Sequence, residues 1–159
     1  MTIAIGDTIP DVSLSLATPE GPVPVSTADY FKGKTVALFA VPGAFTPTCS
    51  AKHLPSFVDK ADELKAKGVD TIAGTSVNDG FVMAQWNEAQ GSDKIDMLAD
   101  GNAEFARALG LDMDASGFGM GTRSQRYSML VEDGVVKQLN VEQAGGYEVS
   151  GAETLLSQL

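Results

Sequence analysis

Thr35-Val36-Ala37-Leu38-Phe39-Ala40-Val41 is an unbroken apolar run rich in β-forming residues, and it stops at Pro42-Gly43. A run this short, without polar alternation, reads as a strand buried on both faces of a sheet. Beyond the turn Pro42-Gly43-Ala44-Phe45-Thr46-Pro47-Thr48-Cys49, apolar residues recur at Leu54, Phe57, Val58, Ala61 and Leu64, with Gly68 as a stop. That spacing predicts a helix from about Cys49 to Lys67 with one stripe against the sheet, kinked at Pro55, which lacks a backbone donor. A buried strand feeding a packed helix is the repeating unit of an α/β fold.

The rest of the chain extends the pattern. Val69 to Val77 reads as a strand, Asp79 to Glu88 as a helix, Ile95 to Leu98 as a short strand, and a helix capped near Asp100 ends at Gly110. This alternation favours a mostly parallel sheet. Arg126–Val131 and Val135–Val141 read as two antiparallel strands joined across Asp133-Gly134, a dipeptide suited to a tight hairpin. Ser150 and Glu153 have capping-box spacing ahead of a short final helix. The sum is a central mixed sheet flanked by helices, compatible with a thioredoxin-like α/β sandwich, although periodicity leaves other mixed α/β arrangements open. With 159 residues and no internal repeat or linker, one domain over residues 1–159 is expected.

Composition narrows the function. A net charge of -10 argues against nucleic acid, whose binding relies on clustered Lys and Arg. No apolar run is long enough to span a bilayer, and the opening Thr2-Ile3-Ala4-Ile5-Gly6-Asp7 has neither a basic flank nor a long apolar stretch, so neither a membrane partner nor export is expected. A single cysteine cannot form an internal disulfide, which fits a reducing, cytoplasmic setting and leaves a free thiol.

That thiol, Cys49, falls where a strand gives way to a helix N-terminus, a place that favours a thiolate. Acidity alone does not make a cysteine fast. A thiol pKa lowered by ~2.5 units raises the thiolate at pH 7 roughly 30-fold but lowers its intrinsic nucleophilicity about 10–15-fold. Further acceleration requires donors aimed at the reacting oxygens. Thr46, three residues earlier, has a hydroxyl that can serve there or simply hold the turn. Arg126 offers a permanently charged donor set, with Arg123 as competitor and surface ion pairs as the plainer reading of both. His53, one turn after Cys49, reads as a partly exposed helix histidine. It is the only histidine, so neither a metal site nor a cofactor is expected.

Pro42-Gly43-Ala44-Phe45-Thr46-Pro47-Thr48-Cys49 contains the pattern Pro-x-x-x-Thr-x-x-Cys and resembles the active-site turn of peroxiredoxins, in its fuller form the type-five atypical subfamily. Val77-Asn78-Asp79, Trp86, Arg126-Tyr127-Ser128-Met129 and Glu132-Asp133-Gly134 are similar to that subfamily too. The resemblance implies a thiol peroxidase with a thioredoxin fold. Cys49 would be the peroxidatic cysteine, Thr46 the peroxide-binding hydroxyl, Pro42 the shield of the sulfur and Arg126 the cation beside it. It also implies a homodimer, with Phe45, Trp86, Phe118 and Gly117–Gly121 as pocket or core.

Many type-five members carry a second cysteine where this chain has Gly146-Tyr147-Glu148-Val149-Ser150. A one-cysteine cycle follows, in which peroxide makes a sulfenic acid and an external thiol resets it. Glutathione, with or without glutaredoxin, is the preferred reductant, and thioredoxin stays open. Two other readings compete. A disulfide oxidoreductase would want its reactive cysteine at the position of Thr46, and a redox sensor would oxidise fast but turn over slowly.

Overall fold

The computed structural model describes residues 2–159. In chain order it forms β1 (Ser13–Thr18), β2 (Gly21–Ser26), α1 (Thr27–Phe31), β3 (Thr35–Ala40), a π-helical turn (Cys49–His53), α2 (Leu54–Asp59), α3 (Ala61–Ala66), β4 (Thr71–Ser76) and α4 (Gly80–Ala89). The chain continues with β5 (Asp96–Ala99), α5 (Glu104–Leu109), β6 (Asp112–Asp114), β7 (Thr122–Ser124), β8 (Tyr127–Glu132), β9 (Val135–Val141) and α6 (Ala152–Ser157). The main sheet has seven strands in the order β2-β1-β5-β4-β3-β8-β9, while β6 and β7 pair separately.

β3 is buried on both faces, as its apolar run requires. Ala37 and Phe39 join Leu54, Phe57, Leu64, Trp86 and Leu155 on one side, and Val36, Leu38 and Ala40 join Phe31, Phe105 and Leu109 on the other. Helices therefore cover both faces of a mixed sheet, the thioredoxin-like arrangement. The sheet is less parallel than the alternation suggested: only β3–β4 and β4–β5 run parallel, and the other neighbours are antiparallel. The difference comes from the β1–β2 hairpin, which went unread. Pro22 and Pro24 weaken the strand signal of β2, and prolines are tolerated there because β2 is an edge.

The β8–β9 hairpin is as expected, with Asp133 and Gly134 both at positive φ (47° and 80°). Asp100 also caps as read: its carboxylate accepts from the N–H groups of Phe105 at 3.0 Å and Ala106 at 2.9 Å.

Two helical expectations need correction. The helix from Cys49 to Lys67 is not continuous. It begins with the π turn, in which the Leu54 N–H donates to the Cys49 carbonyl, and is interrupted at Lys60 (φ -100°, ψ 7°) between α2 and α3. Pro55 has no N–H for the turn before it, and the missing bond coincides with the handover from the wide turn to α2. Apolar spacing located the buried face correctly because it reports direction, not hydrogen-bond register. Nor does Ser150 cap α6. Gly151 precedes that helix without a side-chain cap, and the Ser150 hydroxyl donates to Glu142 instead.

Phe39 on β3 lies over Gly74 on β4 and stacks on Phe57 with ring centroids 4.5 Å apart. A Cβ at Gly74 would come 2.7 Å from the Phe39 ring. Gly74→Ala is expected to destabilise the chain by about 1–3 kcal/mol through overpacking, measured as a lower urea midpoint with unchanged slope; an unchanged midpoint would show that the ring yields freely.

Candidate active site

The turn after β3 is held from outside. Asn78 Oδ1 accepts the Ala44 N–H at 3.0 Å and the Ser76 hydroxyl at 2.7 Å, so the end of β4 anchors the end of β3. Phe45 takes φ 65°, an uncommon conformation for a side chain of its size. The Thr46 carbonyl then accepts the Ser50 N–H at 3.0 Å, which starts the helical turn that carries Cys49. Pro47 stands where its missing donor costs no helical bond.

Cys49 is fully buried, and its sulfur has two polar neighbours. Thr46 Oγ1 is 2.8 Å from Sγ and also 2.7 Å from the Gly43 carbonyl oxygen. A hydroxyl has one proton, so Thr46 donates to only one of them at a time. With the proton on the Gly43 carbonyl, a lone pair of Oγ1 faces the sulfur and can accept. With the proton turned to the sulfur, the hydroxyl donates. The second neighbour is Arg126, whose NH2 donates to Sγ at 3.1 Å. The structure thus brings Arg126, immediately before β8, onto the turn that carries Thr46 and Cys49.

His53 is where the sequence reading went wrong. It is fully buried, not partly exposed. Its Nε2 lies 2.9 Å from the Ser150 carbonyl oxygen, which can only accept, so the ring proton sits on Nε2. Nδ1 is then free to accept from Arg126 NH1 at 3.0 Å. Burial first, and the Arg126 charge second, push the His53 pKa down to about 3, so the ring is neutral. Phe39, Phe57 and Tyr147 pack around it at centroid distances of 5.1–5.8 Å. The i, i+4 spacing placed His53 beside Cys49 but carried no signal of the Ser150 loop that closes over it.

The other named residues separate into roles. Arg123 supports loops: its Nε donates to the Met120 carbonyl and its NH1 to the Val77 carbonyl, both at 2.9 Å. Trp86 is core, with its indole N–H donating to Ser50 Oγ at 3.0 Å, whereas Phe45 and Phe118 are exposed. Pro47 is exposed and Pro42 is half-buried. A cavity of about 230 Å³ opens beside Arg126, lined by Pro42, Thr48, Met113 and Glu142 among others. A larger hollow of about 470 Å³, between the β1–β2 turn and α4, contains none of these groups.

The chain is similar to known proteins over nearly its whole length. The Redoxin family model matches residues 4–156. The chain is 53% identical to "Peroxiredoxin-2E-2, chloroplastic" of Oryza sativa subsp. japonica, across 99% of this chain and 73% of that protein. It is 45% identical to Peroxiredoxin-2C of the same organism, across 99% and 98% of the two chains. Among solved structures, reduced Prx3 in complex with H2O2 from Vibrio vulnificus superposes with a TM-score of 0.95 at 57% identity, covering 99% of each chain.

The neutral imidazole makes stability depend on pH. Its native pKa of about 3 lies below the ordinary 6.5, so between those values the unfolded chain binds a proton that the native chain refuses. Stability is therefore lost as pH falls below 6.5 toward 3. His53→Gln is expected to flatten that limb by up to about 1.4 kcal/mol per pH unit, read from urea unfolding of both proteins across the range. Identical slopes would mean that the ring is not held neutral.

Proposed function

Because this chain belongs to the peroxiredoxins, within the redoxin family, we propose that it is a thiol-dependent peroxidase that reduces hydrogen peroxide and organic hydroperoxides through Cys49. One observation carries the reading: the only sulfhydryl of the chain is held between the Thr46 hydroxyl, which can accept a peroxide O–H, and the Arg126 guanidinium, which can donate to its oxygens. In the first step the Cys49 thiolate attacks the terminal oxygen of R–O–O–H. An S–O bond forms, the O–O bond breaks, and the sulfur emerges as Cys–S–OH. The departing RO⁻ takes a proton to become an alcohol, or water when R is hydrogen. The sulfur loses two electrons and the peroxide gains them.

Each neighbour has work in that step. Arg126 offers donors to the sulfur and to the leaving oxygen, where negative charge grows. The Thr46 lone pair accepts the peroxide O–H and orients it while its own proton rests on the Gly43 carbonyl. Pro42 shields the sulfur from bulk water. His53 touches no reacting atom; it is a positioning residue that holds Arg126 without neutralising it.

The type-five, one-cysteine character is part of the proposal, supported by the turn at residues 42–49 and by the absence of a second cysteine. With no internal partner, the sulfenic acid condenses with an external thiol, releasing water and forming a mixed disulfide, which a second thiol cleaves to restore Cys49. Glutathione, with or without glutaredoxin, is the proposed donor, with thioredoxin as the alternative. A homodimer is proposed as well, supported by the exposure of Phe45 in the active-site turn and of Phe81 and Phe118.

Stopped-flow Trp86 fluorescence of the reduced chain mixed with hydrogen peroxide is the test. Wild type is expected to outrun a free thiol by orders of magnitude. Cys49→Ser abolishes the signal and the dimedone adduct of the sulfenic acid. Thr46→Val and Arg126→Ala each cost roughly 10²–10³-fold. Oxidation no faster than that of an ordinary thiolate sinks the peroxidase reading. Fast oxidation without turnover by glutathione or thioredoxin favours a sensor.

A further inference from the structure

Glu142 follows β9 directly and is buried. Its Oε2 accepts the N–H groups of Glu148, Val149 and Ser150, each at 2.8 Å, and the Ser150 hydroxyl at 2.7 Å. Successive N–H groups converging on one oxygen form an anion nest, here filled by the chain's own carboxylate. Burial works to raise the Glu142 pKa, but the hydroxyl and the three amides outweigh it and hold the group below the usual Glu range, so it is ionised at neutral pH. Its backbone is tied to the site too, since the Glu142 N–H donates to the Arg126 carbonyl at 2.9 Å.

Ser150 therefore faces two ways. Its N–H and hydroxyl point to Glu142, and its carbonyl points to His53 Nε2. We propose that Glu142 is a positioning residue for the peroxide reaction: by clamping residues 148–150 it presents the carbonyl that keeps the His53 proton on Nε2 and so leaves Nδ1 to accept from Arg126. When that carbonyl swings away, the proton is free to move to Nδ1. Donor then faces donor at Arg126 NH1, and the guanidinium withdraws from Sγ. The kinetic half of this inference rests on the thiol-peroxidase reading, whereas the tautomer half does not.

His53 is the only histidine, so nitrogen-15 NMR of histidine-labelled full chain reports one ring. Wild type is expected to show the Nε2–H tautomer alone at neutral pH. Glu142→Ala is expected to give a mixture of tautomers and a rate constant with hydrogen peroxide lower by about 10–100-fold. Glu142→Gln keeps the size and one amide oxygen for the same donors, and should fall between the two. In an Arg126→Ala background, Glu142→Ala should cost no further rate, because the effect passes through Arg126. Should Glu142→Ala fail to fold, Glu142→Gln carries both readouts. A wild-type tautomer in Glu142→Ala, or in Glu142→Gln where the Ala variant does not fold, overturns the inference whether or not the rate has dropped, as does an undiminished cost in the Arg126→Ala background. If wild type itself reacts no faster than a free thiol, the peroxidase reading fails, and the tautomer shift alone still decides the link from Glu142 to His53.

Discussion

A guanidinium partly withdrawn from water needs partners for its donors, and the choice of partners decides where its charge is felt. Arg126 has no carboxylate within ion-pair distance among the described residues. It has a neutral imidazole on NH1 and a sulfur on NH2. A glutamate in place of His53 would satisfy the same donor while cancelling the positive charge. The imidazole satisfies the donor and cancels nothing, so the field of Arg126 falls on Cys49 and on whatever oxygen approaches it. Burial of His53 and the neutral state of its ring are two sides of one arrangement.

What could be read in advance followed from local rules. The apolar run of β3, the hairpin at Asp133-Gly134 and the cap at Asp100 each depend on residues within a few positions, and each stands in the structure. Cys49 and Thr46 were legible because they share one turn. Arg126 was found through resemblance and a general argument about charge; 77 positions separate it from the sulfur it contacts. His53 was misread because a helical spacing tells which way a side chain points but not what lies over it. The cover comes from Ser150, 97 residues away.

The misassigned capping box at Ser150 has the same origin. Its hydroxyl had two uses, a local one at α6 and a distant one at Glu142, and sequence shows only the first. The carboxylate won because it gathers three backbone amides along with the hydroxyl, and a charged acceptor makes the stronger bonds. The segment that lacks a second cysteine is thus not a slack remainder. It is pinned at residues 148–150, packs Tyr147 on His53 and donates the Tyr147 hydroxyl to the Lys52 carbonyl at 3.4 Å.

The π turn at Cys49–His53 carries a consequence for how such a chain can change over generations. A π turn holds one residue more than the α turn it replaces, and one residue is about 100° of helical rotation. The residues before it and the apolar stripe of α2 and α3 are therefore set on different phases of the same helical path. Loss of a single residue within 50–52 would leave Leu54, Phe57 and Leu64 against the sheet while rotating the segment from Thr46 to Cys49 away from Arg126. Insertions and deletions are usually tolerated in loops and rejected in helices. Here the helical wall of the site is the place where one codon, gained or lost, separates the catalytic chemistry from the scaffold without touching the core.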